Sequence, residues 1–495
     1  MNVKLEDLES ALSRLLRHPG RALIGGKWVE GATGQSFVVS NPSTGELIAN
    51  VADCTVSDIE STVDRAEEGL AVWGSATNQY RYEIMRAATD RLRGMKEELA
   101  LLISSEAGKP LAEARAEADT TIRFLDWFSH EALRLSGEAW PKIREDRDAL
   151  VFAEPVGVVA AITPWNFPGF LVACKVAAAL AAGCSVVLKP AEQTPLTAYA
   201  IADAFDAVGL PAGVLNVITT STPANFGDFV GGNPRVGCVT FTGSRSVGER
   251  LLRASAASMQ KVLLELGGNS PAIVLDDADL DQAAQQLTRS RFSNTGQVCV
   301  ATNRIYVQES VSEEFRAKLS QSVSALTLGD AVSSGADLGP LIDTAAVERL
   351  ESLVEAATDA GASVLIGGQR ERSTGSSAFF QATVLETNDD SRATILAQEM
   401  FGPVLAFEVV RDEDEAVRRA NESDWGLAAY VFTGSSSRGI SIARRLHAGS
   451  VGVNCALASD PQTPFGGMRA SGIGRERAQI GVQEFLEYKT VQVAR

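Results

Sequence analysis

The sequence predicts an α/β protein built from two parallel-sheet regions in series. Three observations carry that prediction. At 495 residues the chain is longer than one hydrophobic core supports, so two or three domains are expected. From about residue 150, short apolar runs alternate with helical stretches, the pattern of stacked βαβ units. A second α/β region follows from about 268 to 465, and the tail FLEYKTVQVAR (485–495) alternates as an edge strand does.

Taken in order, Leu5, Leu8, Leu12 and Leu15 recur at helical spacing, so an amphipathic helix is expected to end near Pro19 and Gly20. Residues 21–52 read as short strands separated by Gly and Pro turns. Residues 56–135 are strongly helical, and Gly108-Lys109-Pro110 punctuates the run. Glu106 and Lys109 read there as a solvated turn. GVVAAI (157–162), SVVLK (185–189), VLNVI (214–218), CVTF (238–241) and KVLLEL (261–266) are expected strands. Thr194 and Pro195 mark a helix start, as N-cap and first helical residue.

Composition excludes several function classes. Lys plus Arg is 45 against 62 Asp plus Glu, a net charge of −17, which argues against nucleic acid or an anionic membrane as partner. The six cysteines show no CxxC spacing, so no metal site is expected, and so few thiols fit a reducing compartment. No apolar run is long enough to span a membrane. Glu6, Asp7 and Glu9 with no apolar core argue against a signal peptide, so a cytoplasmic location is expected. The three histidines, His18, His130 and His447, lie outside any Gly-rich motif. A base for a nucleophile is therefore sought among the carboxylates.

An open parallel sheet binds ligands at the carboxyl ends of its strands. Asn166, Lys189, Glu192, Ser244 and Glu265 all fall there. No GxGxxG is present; the nearest substitute is Gly243-Ser244-Arg245-Ser246-Val247-Gly248, a strand–turn–helix whose free amides could hold a phosphate. Glu192 could bind ribose hydroxyls and disfavour a 2′-phosphate, or pair with Lys189 in solvent. Cys299 lies in RFSNTGQVCVATNR (291–304), among small and turn-forming residues. It is either an exposed reactive thiol or a buried inert one.

These motifs together resemble the aldehyde dehydrogenase superfamily. PWNFP (164–168), KPAEQTP (189–195), FTGSRSVG (241–248), ELGG (265–268), NTGQVC (294–299), EMFGPV (399–404) and PFGGMRASGIGRE (464–476) occur in the family's order. The resemblance implies two doubly wound parallel-sheet domains plus a small β oligomerisation element. Residues 1–130 and 152–266 would bind the cofactor, 267–467 would form the catalytic domain, and 131–151 with 468–495 the oligomerisation element of a homodimer or homotetramer. It makes Cys299 the nucleophile, Glu265 the general base and Asn166 the oxyanion donor. It places Thr163, Trp165, Lys189, Glu192, Gly227, Gly243, Ser244, Gly248, Leu266, Glu399 and Phe401 around the cofactor, with NAD favoured and NADP possible. Phe170, Leu171, Cys174, Ser293, Val298, Ser459 and Phe465 would line the substrate tunnel. Relatives that oxidise succinic semialdehyde carry arginines where this chain has Ser293 and Cys174. A neutral, hydroxylated or aromatic aldehyde is therefore the favoured substrate. Succinic semialdehyde, and a CoA-acylating reaction, are the alternatives.

Overall fold

A computed structural model describes residues 5–332, 335–372, 376–396, 398–457 and 459–495. Two large sheets dominate it. In the first, the strands lie in the order Gly472–Ile473, Lys261–Leu266, Val236–Gly243, Val158–Ile162, Ser185–Lys189, Leu215–Val217, Ala22–Ile24 and Lys27–Val29. The five from Lys261–Leu266 to Leu215–Val217 run parallel. Their runs of Val, Leu and Ile are buried on both faces, as central parallel strands require. The chain leaves Val158–Ile162 towards one edge and later returns on its other side at Val236–Gly243. A crevice is expected at the carboxyl ends of those two strands, where the order reverses.

The second sheet runs Ser363–Ile366, Thr383–Glu386, Val404–Val410, Thr302–Gln308, Ser270–Val274, Ala428–Phe432 and Ser450–Val453. All but Ser363–Ile366 are parallel. A third, antiparallel sheet joins the tail strand Leu486–Ala494 to Arg147–Pro155, which in turn pairs with Glu138–Arg144. It leaves Trp140, Phe152, Tyr488 and Val493 exposed.

The helices begin where the sequence supplies caps. Thr55 and Asp58 form a capping box ahead of Val56–Trp73, and Asp279 caps Leu280–Phe292. The N-terminal helix, Leu5–Leu15, stops short of Pro19 and lies on the body of its own chain. Leu15 and Leu16 join the main core, and Arg17 pairs with Asp203 at 3.0 Å and Asp206 at 2.6 Å.

Glu106 and Lys109 do not form a solvated turn: both are fully buried. Thr194 holds the N-cap position of Pro195–Ala207, but its hydroxyl donates to the Trp165 carbonyl at 3.3 Å instead of capping. Glu106 does the capping from another helix. Its carboxylate accepts from Leu196 N and Thr197 N, each at 2.9 Å, and from the Thr197 hydroxyl. Lys109 pairs with Glu117 and donates to the Asn166 carbonyl at 2.7 Å.

Candidate active site

The segment before Cys299 is held in an unusual shape. After helix Leu280–Phe292, Asn294, Thr295 and Gly296 take φ values of 48°, 54° and 74°. Left-handed backbone costs a non-glycine residue roughly 1–2 kcal/mol, so the turn persists through what surrounds it. Asn294 N donates to Glu113 at 2.7 Å, and the Thr295 hydroxyl donates to Gly339 O at 3.1 Å. The Gln297 side chain accepts from Ile342 N at 2.9 Å and donates to Asn294 O at 3.2 Å. Arg291, wholly buried beneath, donates to the Gly296 and Gly402 carbonyls. A side chain on Gly296 would run into the Gly402 carbonyl. The turn thus delivers Cys299 just ahead of strand Thr302–Gln308, at the amino end of the second sheet.

Glu265 comes from the first sheet, near the carboxyl end of Lys261–Leu266. The chain then passes through Gly267 and Gly268 against the Cys299 segment. A Cβ on Gly268 would lie 2.9 Å from the Cys299 carbonyl oxygen. Glu265 is 5% exposed, and neither of its carboxylate oxygens has a hydrogen-bond partner. Burial, then the charge of Glu476, pushes its pKa well above the carboxylate range. The Cys299 thiol is pushed up to about 12 by burial and by Glu399 and Glu265. A raised pKa favours the thiol over the thiolate, so attack would need a base.

Asn166 lies against the segment ahead of Cys299. Its Nδ2 donates to Gln297 O at 2.9 Å, which leaves a second N–H free. Its backbone carbonyl accepts from Lys109 and, at 3.1 Å, from Asn294 Nδ2. Asn166 is thus anchored through its own main chain to the turn that precedes Cys299.

The expected crevice is present as a cavity of about 430 Å³. Thr163, Trp165, Lys189, Glu192, Gly227, Gly243 and Ser244 line it, with apolar contacts from Pro223, Val247 and Leu251. Gly248 and Leu266 do not line it; they pack on each other, and a Cβ on Gly248 would strike the Leu266 side chain. Helix Arg245–Ser255 starts at the cavity with no side-chain cap on its free amides. The Thr163 and Thr242 hydroxyls are buried there without partners. Uncapped amides and orphaned hydroxyls beside an apolar slot suit the adenosine and pyrophosphate of a dinucleotide. Lys189 is buried and paired with Glu192, so the pair is not the solvated one considered from sequence. Glu399 accepts from Gly268 N at 3.2 Å, and Phe401 meets Trp165 edge-on with centroids 5.5 Å apart.

The aldehyde dehydrogenase family model matches residues 28–491. The chain belongs to the aldehyde dehydrogenase family. It is 40% identical over 469 residues to the NADP(+) succinate-semialdehyde dehydrogenase of Escherichia coli (strain K12), covering 95% of this chain and 96% of that one. It is 41% identical over 471 residues to a 3-sulfolactaldehyde dehydrogenase of Pseudomonas putida, with the same coverage. The fold superposes on a Staphylococcus aureus betaine aldehyde dehydrogenase solved with NAD+ at a TM-score of 0.94, with 34% identity, covering 98% and 97% of the two chains.

Of the residues expected along the substrate tunnel, Phe170, Ser293 and Ser459 line a cavity of about 820 Å³ with Phe167, Glu113 and Leu457. Val298 is half-buried beside Cys299. Leu171 and Cys174 lie in the main core, and the Cys174 thiol donates to Glu476 at 3.6 Å. Phe465 packs on Arg477. Several residues of the site escaped sequence reasoning. Lys175 pairs with Glu476 and donates to Thr240 at 3.1 Å, forming a charged cluster behind Glu265. A single lysine in the otherwise apolar helix FLVACKVAAALAA was the signal available for it. Arg349 ties down the Glu399 loop by donating to the Met400 carbonyl at 2.8 Å and the Phe401 carbonyl at 3.2 Å.

Proposed function

We propose that this aldehyde dehydrogenase oxidises a small aldehyde to its carboxylic acid with Cys299 as nucleophile, Glu265 as general base and Asn166 as oxyanion donor. The observation that supports this best is the unpartnered Glu265 carboxylate, buried against the segment that carries the Cys299 thiol. Glu265 takes the thiol proton as sulfur attacks the carbonyl carbon. The developing oxyanion accepts from the free N–H of Asn166 and from the Cys299 backbone N–H. When bound, NAD(P)+ supplies the hydride acceptor that turns the sulfur-bound hemiacetal into a thioester. Glu265 then removes a proton from water, which attacks the thioester carbon; the C–S bond breaks, and acid and thiol are released. The Glu476–Lys175 pair lies beside Glu265 and supplies a route for the proton to leave.

The cofactor would lie with its adenosine at Lys189 and Glu192, its pyrophosphate at Ser244, and its nicotinamide end at Glu399 and Phe401. Glu192 supports NAD over NADP, because a carboxylate there opposes a 2′-phosphate. The presence of Glu265 supports hydrolysis over transfer to CoA. The cofactor domain is proposed to comprise 1–130 and 152–266, and the catalytic domain 267–467. Residues 131–151 and 468–495 are proposed to pair across a homodimer or homotetramer. The apolar side chains exposed on the third sheet support that pairing. Among the described residues, no helix is long and apolar enough to cross a membrane; a cytoplasmic location is proposed. The test is formation of reduced nicotinamide from a panel of aldehydes, with NAD and with NADP. Turnover without CoA that disappears in Cys299→Ala supports the reading. Turnover that survives that substitution rejects it.

A further inference from the structure

Among the described residues, the buried lysines are ion-paired and the buried arginines other than Arg477 donate to carbonyl groups. Lys109 has Glu117, Lys175 has Glu476, and Arg291 and Arg304 each donate to several carbonyls. Arg477 is 6% exposed and has neither an ion pair nor a hydrogen bond among the described residues, and its Nε is buried without an acceptor. Its guanidinium lies in an aromatic cage, 4.0 Å from the Phe465 ring centre, 5.3 Å from Phe170 and 5.8 Å from Phe124. Ring faces attract the cation but satisfy none of its five N–H donors. Nε alone is sealed from solvent; the terminal nitrogens keep some exposure and are free to donate to an incoming anion.

Its place in the fold says what that could be. Phe170 belongs at once to the cage and to the wall of the 820 Å³ cavity, which Ser293 also lines; Arg477 meets that cavity through the Phe170 ring and does not itself line it. Arg477 follows Glu476, whose carboxylate reaches the Cys174 thiol. It is close enough to Cys299 and Glu265 to favour their charged forms. The acids around it do not take it: Glu476 is held by Lys175, and Glu265, near enough to feel its charge, makes no hydrogen bond to it. The sequence lacks arginines at Ser293 and Cys174, yet an arginine from a neighbouring element stands beside Cys174.

We propose that Arg477 is a specificity-determining residue, receiving the carboxylate or sulfonate tail of an aldehyde whose carbonyl is presented to Cys299. The inference rests on the reading of Cys299 as nucleophile and names the substrate class that site prefers. Guanidinium is suited to either anion, because it offers planar paired donors.

The experiment compares kcat/KM for 4-oxobutanoate, 3-oxopropanesulfonate and butanal in the wild type, Arg477→Gln and Arg477→Lys. At least one anionic aldehyde should be favoured over butanal by tenfold or more in the wild type. Arg477→Gln should cut that preference by about ten- to a hundredfold, mostly through KM, since a hydrogen bond to a charged group is lost. Arg477→Lys should recover part of it. The better of the two anions in the wild type identifies the tail. A wild type that prefers butanal, or a preference unmoved in Arg477→Gln, overturns the proposal while leaving the Cys299 mechanism standing. Alkylation of Cys299 by iodoacetamide, followed by mass spectrometry, gives a readout free of turnover. Succinate should protect the wild-type thiol more than butanoate does, and this difference should vanish in Arg477→Gln. Equal protection by both acids in the wild type overturns the proposal even if the variants fail to fold.

Discussion

Glu106 and Glu265 are both deeply buried carboxylates, and burial raises the pKa of each, that of Glu106 to about 8. They differ in their partners. Glu106 spends its lone pairs on two backbone amides and a hydroxyl at the start of Pro195–Ala207. Glu265 spends none. The first is fixed and serves as a helix cap that happens to come from another helix. The second is basic, unanchored and adjacent to a thiol. Burial raises both pKa values, but only Glu265 is left without donors, the condition that suits its proposed role as general base.

The sharpest way to break this comparison is to remove the nucleophile that Glu265 is proposed to serve. Cys299→Ala should lower aldehyde-dependent nicotinamide reduction by about 10⁴-fold or more, the scale of losing a covalent nucleophile. A smaller loss would mean that the orphaned carboxylate acts on water alone. Glu265→Gln comes next, with an expected loss of about 10²–10⁴-fold in kcat. Its pH profile sharpens the point. A base with a raised pKa works only once deprotonated, so wild-type kcat should climb as pH rises above the ordinary carboxylate range, and the variant should lose that limb. Asn166→Ala should cost about 10²–10³-fold, equivalent to one oxyanion donor. Because the thiol itself stays in place, iodoacetamide should still alkylate Cys299 in that variant.

How much of this was legible in the sequence follows from the range of the interactions. The parallel strands could be read because a strand buried on both faces writes an unbroken apolar run, as VVAAI and SVVLK do. The residues at their carboxyl ends followed from the general placement of sites in such sheets. Glu106 and Lys109 could not be read this way. EAGKP has the local composition of a solvated turn, and its burial depends on Pro195–Ala207, some ninety residues on. Arg477 was hidden for another reason. In GRERAQ it looks like surface charge, and only the approach of Phe124, Phe170 and Phe465 from distant segments encloses it. Thr194 shows the limit of a local rule: it holds the position a cap should hold, while a long-range carboxylate does the capping.

The smallest expected effect tests the other half of the comparison. Glu106→Gln preserves size but turns one acceptor oxygen into an N–H₂ group facing an amide donor. It should cost about 1–3 kcal/mol of stability, the price of leaving a buried donor unmet, measured as a shift in the denaturant midpoint. Activity per folded molecule should be retained, since Glu106 touches neither cavity. The pH dependence adds a signed check. The folded pKa of about 8 lies above the ordinary value of 4.5, so the native state binds the extra proton between those values. The stability contributed by that proton is fully present below about pH 4.5 and is lost as pH rises through about 8. Glutamine cannot titrate, so the gap between wild type and variant should narrow across that window. A constant gap would mean that the amide donors and helix dipole keep Glu106 ionised throughout, making it a purely electrostatic cap and widening its contrast with Glu265.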